Sequence, residues 1–421
     1  MCAVVDRPCW SLLPCLILFC HAAVTPVAAQ EWTRFRGPNG TGVSAATTIP
    51  ASWTAADYRW QTKLPGKGHS SPVIWGDRLF VLSADATTAR RYVLCLDTNS
   101  GKILWQKEYD SATHPLSPLN SYASSTPTVD AQYVYVAWAT LDHLVVRALT
   151  HDGTEAWQRD LGPYISEHGF GNSPILFEDF VILVNSQQAE ELAPGQEAGI
   201  SSVVALDRKT GEVRWTTPRK AARVCYGTPC LYEPPNGPVE MLLYDTPDGF
   251  ISLDPRTGKE NWTCPAFTMR TVASPIVVND LVFGSNGSGG GGNYLVAVRL
   301  TEPRQEVYRI KRQAPYVPTS VAHDGLVYLF FDRGFVSCMQ AADGQIIWSE
   351  RVTSGFSGSP VLVNDKVYCL DNDGNVIVLA AGRKFQELGR VPLGEPSRAT
   401  PAVSGGRMFL RSETTIVCIG G

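Results

Sequence analysis

Charge is scarce in this sequence. Lys, Arg, Asp and Glu make up 18% of its 421 residues, below the roughly 25% of an average globular chain. Its 36 basic and 40 acidic residues leave a formal net charge of −4, so there is no general nucleic-acid footprint. Disorder is excluded too, because 44% of the residues are apolar and a disordered chain needs low hydrophobicity with high net charge. Long apolar runs are missing. The one at 10–24, WSLLPCLILFCHAAV, is short for a bilayer span and is broken by Pro14 and His21. No Cys-x-x-Cys pair or Cys/His cluster has metal-ligand spacing, so no structural zinc site is expected. Nor does any Ser–His–acid set assemble from spacing. His69, His114, His143, His151, His168 and His323 are scattered, mostly at turns.

What is present begins with a leader. Arg7, the apolar run and the small residues Val27-Ala28-Ala29 read as a secretory signal over residues 1–29, which predicts a periplasmic or extracellular location. Phe19 before Cys20 does not suit lipid attachment. Of 11 cysteines, Cys95, Cys225, Cys230, Cys264, Cys338, Cys369 and Cys418 lie beyond the leader. Cys95, Cys338 and Cys418 share similar local patterns and read as small buried apolar side chains on equivalent strands. Spacing also allows Cys225 to pair with Cys230 across a loop.

The 37 glycines and 29 prolines imply frequent turns and few long helices. They fall in a repeat. A Ser/Thr-Pro step before β-branched residues recurs at Pro72, Pro127, Pro174, Pro229, Pro275, Pro360 and Pro401, with a looser copy at Pro318. A glycine turn ahead of an aromatic residue follows each step, as in CLDTNSGKILW and SLDPRTGKENW. The aromatic is Trp105, Trp157, Trp215, Trp262 or Trp348, with Tyr308 in the fifth copy. Between the markers, apolar residues alternate with period two, the pattern of half-buried strands. Four strands per unit over eight units predict an all-β, eight-bladed propeller of four-stranded antiparallel blades covering residues 58–421. The last copy ends one strand short, and residues 58–64, with Trp60, match the missing outer strand. Closure by this N-terminal strand would remove an exposed sheet edge. The repeated tryptophans, Trp60 included, are predicted to pack on the turn of the neighbouring blade.

ALDRKTGEVRW at 205–215 resembles the tryptophan-docking repeat of pyrroloquinoline-quinone (PQQ) propellers. The chain is similar to their non-catalytic branch, typified by the outer-membrane assembly factor BamB. That resemblance implies a non-enzymatic scaffold or binding platform in the cell envelope, with a protein or glycan partner. Two further functions are an alcohol- or sugar-oxidising quinoprotein dehydrogenase and a polysaccharide-binding accessory protein. Dehydrogenases of this fold hold PQQ between a tryptophan and a disulfide of adjacent cysteines, with calcium beside a catalytic aspartate. This chain has no adjacent cysteine pair, so no cofactor, metal or catalytic residue is assigned, and PQQ with calcium remains the alternative. The arm at 30–57, containing WTRFRGPNGTG, resembles a leader of exported members of the superfamily. Composition predicts that it lies across one face of the disc.

In a propeller, the loops entering each blade share a face with those joining its second and third strands. The entering loops carry Lys67, His69, Tyr122, His168, Asn172, Arg223, Tyr226, Arg270, Arg312, Tyr316, Phe356 and Arg398. They predict a cationic and aromatic mouth suited to an anionic or sugar-like ligand or an acidic peptide. Asp85, Asp142, Glu190, Glu191, Asp245, Asp332 and Glu413 in companion loops could neutralise it. Asp371-Asn372-Asp373-Gly374-Asn375 reads as a hairpin turn rather than a calcium loop, because the expected later glutamate is missing. The glycine-rich run 286–293 reads as a flexible hairpin tip, and the acidic insertion 186–199 as a mobile loop open to a partner.

Overall fold

A computed structural model describes residues 1–3, 32–289 and 291–421. The leader predicted at 1–29 lies almost wholly outside the described residues. Eight antiparallel sheets follow one another along the chain, beginning with blade 1 at 73–109 and ending with blade 8 at 402–420. Trp60–Lys63 pairs antiparallel with Thr415–Gly420 and supplies the outer strand of blade 8, so the two ends of the propeller share one sheet. Blade 7 departs from the four-strand pattern. Val43–Ser44 of the arm runs parallel to its inner strand Val361–Val363 as a fifth strand.

The apolar cores lie between blades. Leu82 and Val93 of blade 1, for example, pack with Val134 and Trp138 of blade 2. The tryptophan marker belongs to this packing. Trp157 Nε1 donates to Arg208 O at 2.9 Å, in the turn of blade 3. A Cβ on Gly211 of that turn would come within 2.5 Å of the indole, and Gly211 has φ +71°. Glycine is thus required both by the backbone and by the ring. Trp60, Trp105 and Trp348 likewise donate to Thr98, His151 and Gly382 of the next blade, and Tyr308 donates to Ala341 O at 2.5 Å. Trp215 packs on Gly258 in the same way. Cys95, Cys338 and Cys418 pair directly with Trp105, Trp348 and Trp60, where a small side chain leaves room for the ring.

Two blades depart from this docking rule. Trp262 donates to Glu240 Oε2 of its own blade at 2.7 Å, because the next turn, 299–305, contains no glycine. Arg304 of that turn lies over its ring instead. Blade 7 has no aromatic at the docking position, which is Gly389. A Cβ there would meet Ala51 O at 2.0 Å. The arm fills the place: Ile49 and Trp53 are buried at the junction of blades 7 and 8, and Tyr368 Oη donates to Ile49 O at 3.1 Å.

The arm also closes one end of the central channel. Its residues bond inner strands around the ring: Ile74 N–H donates to Trp32 O, and Val129 N–H to Thr33 O, both at 2.8 Å. Arg34 reaches Pro229 O, and Asn39 bonds Leu231 in both directions. Arg36, fully buried, donates to Thr319 O, Ser320 O and Pro360 O at 2.7–3.0 Å. The arm is therefore a plug as well as a cover.

Candidate ligand site at the channel mouth

Above the plug, the Ser/Thr-Pro steps meet around the axis. Ser71 N–H donates to Thr126 Oγ1, Thr126 N–H to Ser173 Oγ, and Thr228 N–H to Ser274 Oγ. The relay continues from Ser274 to Thr319, Ser359 and Thr400, and Thr400 N–H donates back to Ser71 Oγ. These bonds measure 2.9–3.0 Å and join successive blades. Except after Thr319, where Ser320 follows, the next residue is proline, which has no N–H to leave unsatisfied at the wall. A hydroxyl that accepts in this way still has its own proton to donate.

The hydroxyl ring encircles a cavity of about 350 Å³, with Phe35 of the arm also in its wall. Six of the predicted mouth residues line it: His69, His168, Tyr226, Arg270, Tyr316 and Arg398. The others do not. Lys67 lies 3.7 Å from Glu413, and Arg223 pairs with Glu191. Tyr122 Oη donates to His114 O at 2.9 Å, Asn172 is buried and donates to Cys225 O at 3.0 Å, and Arg312 is exposed. Phe356 is buried against Phe330. Position in an entering loop brings a residue to the mouth, but its side chain then takes the best local partner.

Residues outside the predicted set complete the site. Glu167 accepts from Arg270 Nη2, while Arg270 Nη1 donates to His168 Nε2. Its only signal in the sequence was adjacency to His168. Asn120, from the long loop between blades 1 and 2, donates to His168 O at 2.6 Å and reaches the cavity wall. Ser288 and Gly289 bring the glycine-rich hairpin to the same wall. The acidic insertion is tethered rather than wholly free, with Gln187 and Gln188 buried and Gly199 N–H donating to Gln188 O.

Charge at the mouth is positive. Among the described residues, no Asp or Glu lines the cavity, while Arg270 and Arg398 do. Arg398 is held by Ser357 Oγ at 3.0 Å. Burial, together with Arg411, Arg398 and Lys67, pushes His69 down to about 3, so its ring is neutral near pH 7. Burial and Arg270 likewise lower His168, consistent with a neutral ring accepting from the guanidinium.

The residue pattern in these blades decides the family. A model described as outer membrane protein assembly factor BamB matches residues 53–227, 92–334 and 311–419. The chain belongs to this family. A BamB from Yersinia pestis is 24% identical over 328 residues, 73% of this chain and 65% of that protein, so the match spans under two thirds of the relative. A polyvinylalcohol dehydrogenase from Sphingopyxis sp. (strain 113P3) is 23% identical over 282 residues, 58% of this chain and 41% of that protein. Among solved structures, the fold matches quinohemoprotein alcohol dehydrogenase from Comamonas testosteroni with TM-score 0.68 at 13% identity, covering 93% of this chain and 80% of that one. BamB from Moraxella catarrhalis matches with TM-score 0.58 at 15% identity, covering 85% and 97%. Membership of this BamB family thus accompanies a fold shared with dehydrogenases.

The donor set of the cavity bears on whether it suits PQQ and calcium. Calcium takes oxygen ligands, with carboxylates foremost, and no carboxylate lines this cavity. Among the described residues, no three His, Cys, Asp or Glu side chains gather as metal ligands. Every described cysteine is a free thiol, and Cys225 and Cys230 are both buried without pairing, which settles the pairing that spacing had allowed. The residues do not fit a calcium–quinone pair, and no redox step is derived from them. Asp371 is likewise a turn: its carboxylate accepts from Asp373 N–H and Asn375 N–H. Among the described residues, no helix is long and apolar enough to cross a membrane.

Proposed function

We propose that this propeller is a non-enzymatic binding protein of the cell envelope whose channel mouth holds an anionic, hydroxyl-bearing glycan ligand. The observation that carries this reading is the lining: two arginines and a ring of hydroxyls, with no carboxylate. A hydroxyl ring suits a polyol, and an arginine fork suits a carboxylate or phosphate. The cavity volume falls at the small end of the roughly 300–1,000 Å³ usual for ligand pockets, enough for a terminal sugar unit rather than a folded partner. The leader read at 1–29 and the family description support an envelope location. Family membership also supports a protein-binding scaffold, with the exposed loops as its contact surface.

A glycan array tests the proposal. Acidic glycans should be retained over neutral ones, and the double variant Arg270→Ala/Arg398→Ala should lose them. Equal retention of neutral glycans, or full retention by the double variant, would refute a ligand site at the mouth.

A further inference from the structure

The two walls of the mouth are charged differently. Arg270, in the loop entering blade 5, is already paired with Glu167 and bonded to His168. The loops entering blades 8 and 1, across the ring, carry Arg398 and His69. Arg398 donates to Ser357 Oγ at 3.0 Å and to Asn372 Oδ1 at 3.5 Å, and among the described residues it has no carboxylate within 4.0 Å. Behind it Arg411 is fully buried, donating from Nη1 to Ser70 O and Leu82 O. Its Nε and Nη2 have no partner, nor has the buried Nδ1 of His69.

The other ionisable groups at this seam are Lys67, Glu413 and Glu395. Glu413 lies 3.7 Å from Lys67. Glu395 is occupied by the hydroxyls of Ser412 and Thr414 and by Thr414 N–H. Positive charge without a carboxylate partner is therefore concentrated between blades 8 and 1, while unpartnered donors occur on both walls, Arg270 Nε being the one across the mouth. Burying cations with unfilled donors is unfavourable unless an anion completes them.

We propose that the ligand's acid group seats at the seam of blades 8 and 1, on Arg398 and His69 with Arg411 behind, while the Glu167–Arg270–His168 cluster across the mouth reads its hydroxyls. This rests on the binding function proposed above and narrows it to a hydroxylated monocarboxylate, such as a terminal uronic acid. A second acid group would face Glu167. The neutral His69 ring, held down to about 3, offers a hydrogen bond without adding a charge.

Two measurements decide it. Iodide soaked into crystals of the wild-type protein and located by anomalous scattering should lie against Arg398 and His69. Iodide on Arg270 alone, or none in the cavity, overturns the seat. In calorimetry with glucuronate, Arg398→Gln should weaken binding at least tenfold and Arg270→Gln less than threefold. A larger loss from Arg270→Gln overturns the assignment of walls while leaving the binding function standing. No glucuronate binding by wild type, with iodide still at the seam, overturns the sugar-acid ligand and keeps the anion seat.

Discussion

At the closed end of the channel, Arg34 and Arg36 direct their N–H groups to main-chain carbonyls of blades 4, 6 and 7. At the open end, Arg270 and Arg398 meet side chains and the cavity. The same residue type fastens the ring at one end and lines an open cavity at the other. Its surroundings make the difference. Carbonyls at the plug cannot move without unpicking strands, and burial lowers Arg36 to about 9 and Arg34 to about 10. Side chains at the mouth can exchange a partner for a ligand.

The strongest way to break this contrast is Arg36→Ala. It leaves three inter-blade carbonyls unpaired in the interior, so a loss of about 3 kcal/mol or more is expected from urea midpoints. A loss under about 1 kcal/mol would mean that the arm is not a fastener. Gly211→Ala tests the repeated docking instead. Positive φ and the indole contact together predict a loss of about 2–3 kcal/mol. Gly389→Ala should cost about 2 kcal/mol by pushing on Ala51, and less when Trp53→Ala has already loosened the arm. That double-mutant cycle should show coupling of about 1 kcal/mol, and additivity would separate the arm from blade 7.

Arg398→Ala, at the open end, should change stability by less than about 1 kcal/mol, since its guanidinium meets only the side chains of Ser357 and Asn372 and the cavity. The smallest effect at neutral pH belongs to His69. Its folded value lies below the usual 6.5, so the unfolded chain binds the proton more readily between about 3 and 6.5. Stability from this group is present above about 6.5 and is lost as pH falls towards 3. His69→Gln should match wild type at pH 7.5 and lose less stability on acidification. Asp245, raised to about 6 by burial, acts in the opposite sense between about 4 and 6. The two proteins must therefore be compared at each pH, and equal acid slopes would show that His69 is not buried in this way.

The propeller was legible because its signals are local. Alternation, the Pro step and the glycine turn each lie within a dozen residues, and Trp60 could be matched to Trp105 by neighbours alone. The arm was read as lying across one face, but its fastening was not legible, because its partners are remote: Arg36 contacts Pro360, 324 residues away. Gly389 likewise has its reason in a distant segment, since Ala51 of the arm lies against it. At the mouth, loop position brought six of the twelve predicted residues of the ring to the cavity. Lys67, Tyr122, Asn172, Arg223, Arg312 and Phe356 went elsewhere, since no sequence pattern states which partner a long side chain will meet.

The hydroxyl relay has a handedness. In seven of the eight steps around the ring an N–H points from one blade to the next in the same rotational sense, and the last returns to the first. Bond dipoles arranged head to tail around a circle nearly cancel along its axis. The collar consequently contributes little net field to a visiting ion, however polar it is. Attraction over distance falls to the few side chains above it, while the collar offers short-range donors on every side.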